Sequence, residues 1–365
     1  MRKRATFSAI FVAVLLALTN GRMVQAQSQN DQSDARLDAA TRSQVIEGVI
    51  KRFNDSYVFP EVARAIEQSV RERARKGEYD KITSASALAE SLKEQLREVS
   101  KDAHVDVIFR NKPLPPMSET EREETPADRE NLRSNFAFIN NGFAKVERLK
   151  GNIGLLDIDL FVDPAYAGDT AAAVMGVLAN TDALIVDLRY CSGGNGRMAA
   201  LLETYLFAEP VHLSDFYQRE ANFTKQNWTL PYVPGQRYLG KDVYILTSKL
   251  THSAAEAFAY ELQSLKRATI IGEVSRGGAH TVARYRINEH FAVQVPVGRS
   301  VNAITKTNWE GKGVLPDIQT TAEKSLKVAH LTALQRLLER NPNRERASEI
   351  RELIESLGKE ESKAN

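Results

Sequence analysis

Four short apolar runs, IGLLDI (153–158), ALIVDL (183–188), DVYILT (242–247) and ATIIGE (268–273), recur along the chain, each bounded by turn residues. No other feature narrows the fold so far. A run without polar alternation has no side to offer to water, so these read as buried strands. Stretches of helical periodicity lie between them, near 165–179, 197–207 and 253–265. Strands alternating with helices make an α/β domain. FAVQVPVG (291–298) and the stretch around Tyr285 add a hairpin, and from Ser325 a helix presents Leu326, Ala329, Leu331, Leu334, Leu337 and Leu338 on one face. NPN at 341–343 interrupts before a final charged helix.

Upstream the pattern is helical. Val45, Val49, Ile50 and Phe53, then Val62, Ile66 and Val70, then Leu88, Leu92 and Leu96 recur at helical spacing, with VDVIF (105–109) strand-like after them. This predicts an N-terminal helical domain over 36–110. KPLPPMSETEREETPADRE (112–130) is rich in proline and charge, which predicts a linker over 111–134. The α/β core is then 135–325 and the C-terminal helices 326–365.

The first residues, MRKRATFSAIFVAVLLALTNGRMVQAQ, carry Arg2, Lys3 and Arg4 ahead of an apolar core and a small-residue site at Val24-Gln25-Ala26. Residues 1–26 therefore read as a secretory signal peptide. The apolar stretch is shorter than the about 20 residues a spanning helix needs. The expectation is export to the periplasm or beyond, without membrane insertion after cleavage. Removing the signal takes 4 of 49 basic residues and none of 47 acidic ones, leaving a net charge of −2. That argues against a nucleic-acid partner, which would call for a basic stripe. The single cysteine, Cys191, allows no internal disulfide, so stability must come from packing, and a mature chain of about 340 residues can supply one or two cores. A small buried hydrophobe is its simplest reading.

In LTHSAAEAFAYEL (250–262), Ser253 and Glu256 form S-x-x-E ahead of Phe258, Ala259 and Leu262, which is a capping box opening a helix. The same serine could be a nucleophile, and a nucleophile needs a base. DLRYCSGGNGR (187–197) turns from strand to helix at Gly193 and Gly194, where backbone amides can hold an oxyanion, although an ordinary turn fits as well. It has neither a phosphate-loop nor a dinucleotide spacing, and no cofactor is called for. No lysine lies between Lys266 and Lys306 to serve as base. Of six histidines, His252 adjoins Ser253 and reads as a wall of the site. His212 and His330 lie outside any glycine-rich or strand-end cluster and His290 sits in a hairpin turn, INEHF, which leaves His104 in SKDAHVDV and His280 in SRGGAH. Composition does not choose between these two. H-E-x-x-H and C-x-x-C are both absent, so no metal site is expected.

Taken in order, IGLLDIDLF (153–161), ALIVDLRYCSGG (183–194), VYILTSKLTHSAAEAFAYEL (243–262), RATIIGEVSRGGAH (267–280) and TNWEGKGVLPDI (307–318) resemble the C-terminal processing, or tail-specific, serine peptidases. Within that family they are similar to the branch of the interphotoreceptor retinoid-binding protein repeats. The resemblance implies a ββα-spiral core related to crotonase-like and Clp-protease subunits, and a peptide or protein substrate. It implies Ser253 as nucleophile, with the Ala254 amide and Gly193, with its neighbour Gly194, at the oxyanion positions. GEVSRGG places Gly278 where Ser/Lys relatives carry their lysine, so that mechanism is lost. Tricorn-type relatives use a histidine ahead of the core and a glutamate before G-V-x-P-D, and His104 and Glu310 stand at the matching places. The implied mechanism is an acyl-enzyme on Ser253 with His104 as general base and Glu310 steadying the site. Asp102 either orients His104 or caps a strand. His280 as the base of an esterase-like hydrolase is a further alternative, and a non-catalytic carrier of hydrophobic ligands is the rival from a different class.

Overall fold

The computed structural model describes residues 36–115, 125–340, 342 and 345–359. The expected signal peptide lies outside them, as do 116–124 of the expected linker and Asn341 and Asn343 of the expected break. Two compact units emerge: one takes the chain to Glu124 together with Thr281–Gly298, the other Thr125–His280 and Arg299–Asn365.

The first unit opens with α1 (Ala39–Ser56), α2 (Pro60–Arg75) and α3 (Ala85–Ser100), followed by β1 (Asp106–Phe109). Each helix start is marked in the sequence. Asp38 accepts from the Thr41 amide at 2.7 Å, Pro60 sits at the first turn of α2, and Ser84 accepts from the Ala87 amide at 3.0 Å. The apolar stripes of the three helices meet in one core containing Val45, Phe53, Ile66, Val70, Leu88 and Leu96.

In the second unit the chain forms α4 (Pro126–Phe138), β2 (Phe143–Leu149), β3 (Ile153–Ile158), α5 (Pro164–Leu178), β4 (Ala183–Asp187) and α6 (Gly196–Thr204). There follow β5 (His212–Gln218), β6 (Phe223–Trp228), β7 (Asp242–Thr247), α7 (Ala254–Ser264) and β8 (Thr269–Gly272). The chain then enters β9 (His280–Arg286) and β10 (Phe291–Asn302), and ends in β11 (Ile318–Gln319), α8 (Ala322–Arg340) and α9 (Ala347–Lys359). The expected linker is helical from Pro126, because Thr125 and Asp128 form a reciprocal capping box with Pro126 in the first turn. The expected hairpin is the β9/β10 pair, and its strands cluster with the helical unit. Phe291, Val293, Val295 and Val297 are buried in the core of the three helices, and β1 runs antiparallel to β10 from Asp106↔Gln294 to Phe109↔Phe291.

The second unit is built on a six-stranded sheet in the order β11-β8-β7-β4-β3-β2, parallel except for the β2/β3 pair. Its four central strands are the apolar runs. Alternate residues point to opposite faces: Leu156, Ile158, Leu184, Val186, Val243, Ile245 and Ile270 enter a core with α5, α6 and α7. Ile153, Leu155, Ala183, Ile185, Tyr244, Leu246 and Ile271 enter a second core with α8 and α9. Helices on both faces explain why these strands carry no polar alternation. This is the mixed α/β architecture expected, with its helical region ahead of it. Among the described residues no helix is long and apolar enough to cross a membrane.

Candidate active site

Parallel strands bring their carboxyl ends to one edge, which is where open α/β sheets bind ligands. The loops after β4, β7 and β8 therefore meet whatever their distance in sequence. The Thr251 hydroxyl donates to Leu188 O at 2.8 Å, the His252 amide to Cys191 O at 3.2 Å, and the Arg276 amide to Thr251 O at 3.0 Å. Gly193, Ser253 and the 275–278 turn are thereby neighbours.

Ser253 stands immediately before α7 at φ 55°, ψ −119°. A side-chain-bearing residue at positive φ costs about 1–3 kcal/mol, and such strain persists only where its surroundings over-determine it. Two contacts do so here. The Ser253 amide donates to Glu256 Oε2 at 2.8 Å, the returning half of the expected capping box. Gly193, at φ 100°, presses against the turn so closely that a Cβ there would lie 2.7 Å from Ser253 Cβ and His252 O, and 3.2 Å from the Ala254 nitrogen. Ala254 is the first residue of α7, so its amide has no carbonyl partner within the helix. Gly194, at φ 127°, leaves no room for a Cβ against the Phe161 backbone, and Phe161 N–H donates to Gly193 O at 2.8 Å. The glycine turn is pinned on both sides. Cys191 is buried beside it, and burial pushes its thiol up to about 12, so it is no nucleophile.

Glu256 does more than cap. Its side chain is fully buried, with Oε1 accepting from the Ser275 hydroxyl and the Gly277 amide, both at 2.6 Å. Oε2 accepts from the Gly278 amide at 2.9 Å as well as from Ser253. One carboxylate thus ties the serine turn to the glycine-rich loop after β8. Burial raises its pKa, while the four donors oppose the rise. The sequence marks Glu256 only as a local cap, since three of those donors lie about 20 residues downstream.

Glu310 continues the same framework. Its Oε2 accepts from the Ala279 and His280 amides at 2.7 and 3.0 Å, and the Gly311 amide donates to Gly277 O at 2.9 Å. Glu310 Oε2 lies 3.7 Å from His280 Nδ1, beyond hydrogen-bond length. Gly278, at the position where a lysine was expected to be missing, serves by its amide instead.

Asp102 and His104 belong to the helical unit. Buried Asp102 lies between Tyr57, whose hydroxyl donates to Oδ2 at 3.3 Å, and His104, whose amide donates to Oδ1 at 2.9 Å. The same Oδ1 is 3.1 Å from His104 Nδ1, and Gln294 Nε2 donates to His104 O at 2.8 Å. A carboxylate on Nδ1 selects the tautomer that leaves Nε2 as the acceptor. The remaining histidines follow expectation: His212 pairs with Asp215 at 2.9 Å, His290 Nδ1 lies 2.9 Å from Arg110 O, and His330 Nε2 lies 2.8 Å from Lys150 O. A surface cavity of about 670 Å³ lined by Tyr232, Val233, Leu239 and Lys241 contains none of the candidate residues.

Comparison with known proteins agrees with the fold. A profile described as "Peptidase family S41" matches residues 152–320, and one described as "N-terminal domain of Peptidase_S41 in eukaryotic IRBP" matches residues 37–141. The chain belongs to peptidase family S41. Among solved structures, a putative peptidase from Parabacteroides merdae is similar at a TM-score of 0.53 and 18% identity, over 77% of this chain and 90% of its own. A lipoprotein from Streptococcus agalactiae gives 0.50 and 15%, over 83% and 99%. Mature CPAF gives 0.51 and 12%, over 78% and 93%. At such identities the likeness is one of fold.

Proposed function

We propose that the chain is an active serine peptidase with Ser253 as nucleophile. The observation that carries this is the strained Ser253 turn, held at φ 55° against Gly193 at the start of α7. Strain of that kind lifts a serine Oγ out of a strand-to-helix turn, as in other nucleophile turns. In the proposed reaction Ser253 Oγ attacks the scissile carbonyl carbon and passes its proton to His104 Nε2. The carbonyl oxygen becomes an oxyanion, stabilised by the amides of Gly193 and Ala254. Collapse of this intermediate breaks the peptide bond as His104 returns the proton to the leaving amine. Water then attacks the acyl-enzyme by the same route and frees Ser253.

Asp102 orients His104 in this scheme. The 3.1 Å contact between Asp102 Oδ1 and Nδ1 supports His104 as the base, while the Glu310 carboxylate, 3.7 Å from His280 Nδ1, already receives two backbone amides. Glu310 acts through the backbone, holding the 279–280 segment. We also propose export, on the strength of residues 1–26; N-terminal sequencing of the secreted or periplasmic protein, starting near Gln27, tests it.

The function is tested by labelling the purified protein with a fluorophosphonate probe, alone and as Ser253→Ala, His104→Ala and His280→Ala. Labelling is expected to require Ser253 and His104 and to survive His280→Ala. Loss with His280→Ala alone transfers the base to His280. A folded protein that does not label at all favours the hydrophobic-ligand carrier.

A further inference from the structure

Two carboxyl groups are buried together near the far ends of α6 and α7, with no cation paired to either among the described residues. Glu203 on α6 has no exposed surface, and Glu261 on α7 is 5% exposed. Among the described residues neither oxygen of Glu203 meets an N–H or O–H. α6 and α7 pack in one core, and across it the neighbour of Glu203 is the Glu261 carboxyl.

Charged groups on the surrounding elements are engaged elsewhere. Arg237 donates to Thr204 O and Phe207 O, and Arg267 donates to Leu206 O, Tyr238 O and Lys241 O. On β5, His212 pairs with Asp215. At the two helix starts Arg197 faces Asp163, and Glu256 sits in its own cage of donors. Among the described residues no other donor reaches Glu203, so a proton shared with Glu261 satisfies it. Two carboxylates cannot both ionise at such a place without strong repulsion.

The position of the pair gives it consequence. α6 begins directly after the Gly193-Gly194 turn, and α7 begins directly after Ser253. We propose that Glu203 and Glu261 share a proton and form a pH-operated latch between α6 and α7, closed while the proton is held and loosened when it leaves. The consequence for reactivity rests on the reading of Ser253 and Gly193 as one site. Releasing the latch separates the helices whose first turns place nucleophile and oxyanion donors side by side.

The pair titrates as a unit. Burial lifts Glu261 to about 7 from 4.5, and Glu203, which also faces Glu261, goes well above its ordinary range. Both shifts are upward, so the folded chain keeps protons that the unfolded chain releases above about 4.5. Stability from the latch is full below that pH. It is lost as pH rises toward and beyond 7.

The test is thermal unfolding of the full chain, as wild type, Glu203→Gln and Glu261→Gln, from about pH 5 to about pH 8.5. Glu203→Gln supplies a permanent N–H to Glu261, so its midpoint should match wild type at the acid end and exceed it at the alkaline end. A gap that does not change with pH overturns the latch. Should the variants fail to fold, carboxyl-carbon NMR of wild type with labelled glutamate decides: two glutamates titrating in coupled steps, one of them still protonated above about pH 6, support the latch, and a single uncoupled one or none refutes it. Fluorophosphonate labelling of wild type relative to Glu203→Gln should fall over the same range; a constant ratio refutes the coupling to Ser253. A pH-dependent stability gap with no labelling of either protein would refute the Ser253 reading and leave the latch standing.

Discussion

Replacing Glu256 tests how the candidate site is held together. Its carboxylate receives four donors, two on each oxygen. In Glu256→Gln the amide nitrogen will settle on the Oε1 side, because the Ser275 hydroxyl there can turn to accept a hydrogen bond while the Gly277 amide cannot. One buried N–H is then stranded, at a cost of about 1–3 kcal/mol. The carbonyl oxygen still receives Ser253 and Gly278, so the serine turn survives. Glu256→Ala strands all four donors, for upwards of about 4 kcal/mol by the same reckoning, a large part of the 5–15 kcal/mol that holds a typical domain. Urea unfolding and the rate of fluorophosphonate labelling read the two effects separately. Glutamine should lower stability by the smaller figure and slow labelling less than about tenfold, whereas alanine should abolish labelling. A Gln variant within about 0.5 kcal/mol of wild type, or an Ala variant that labels normally, refutes the view that this carboxylate fixes the turn.

Gly193→Ala puts a Cβ 2.7 Å from Ser253 Cβ and His252 O at φ 100°, and should cut the rate of peptide hydrolysis by roughly 10²–10³ while leaving the sheet folded, as circular dichroism will check. Asp102→Asn keeps the shape but lets His104 take the other tautomer; kcat should fall by up to about 10⁴ with KM little changed. Cys191, buried with its thiol pushed up to about 12, should resist a thiol-specific reagent near neutral pH in the folded protein and react at once in denaturant.

Where the sequence reading succeeded, the information was local. The stripes of α1, α2 and α3 and the apolar runs of β3, β4, β7 and β8 are periodicities within a dozen residues, and packing had only to accept them. Where it failed, the pattern was weak or the partner remote. β6 is exposed along nearly its whole length and offers no apolar alternation, and β2 buries little beyond Phe143. The helix at Pro126 carries a T-x-x-D cap, but the proline and charge around it resemble a linker in sequence.

By itself, then, the sequence determined the α/β alternation and the helical region ahead of it, and marked candidate side chains for chemistry, because propensity and spacing act between near neighbours. The tertiary structure decided what those side chains touch. Parallel strand ends set Gly193 against Ser253 across 60 residues of chain and gave Glu256 donors from two loops. Helix packing likewise buried Glu203 beside Glu261. Such pairings follow from the twist and order of a sheet, which distant segments fix together.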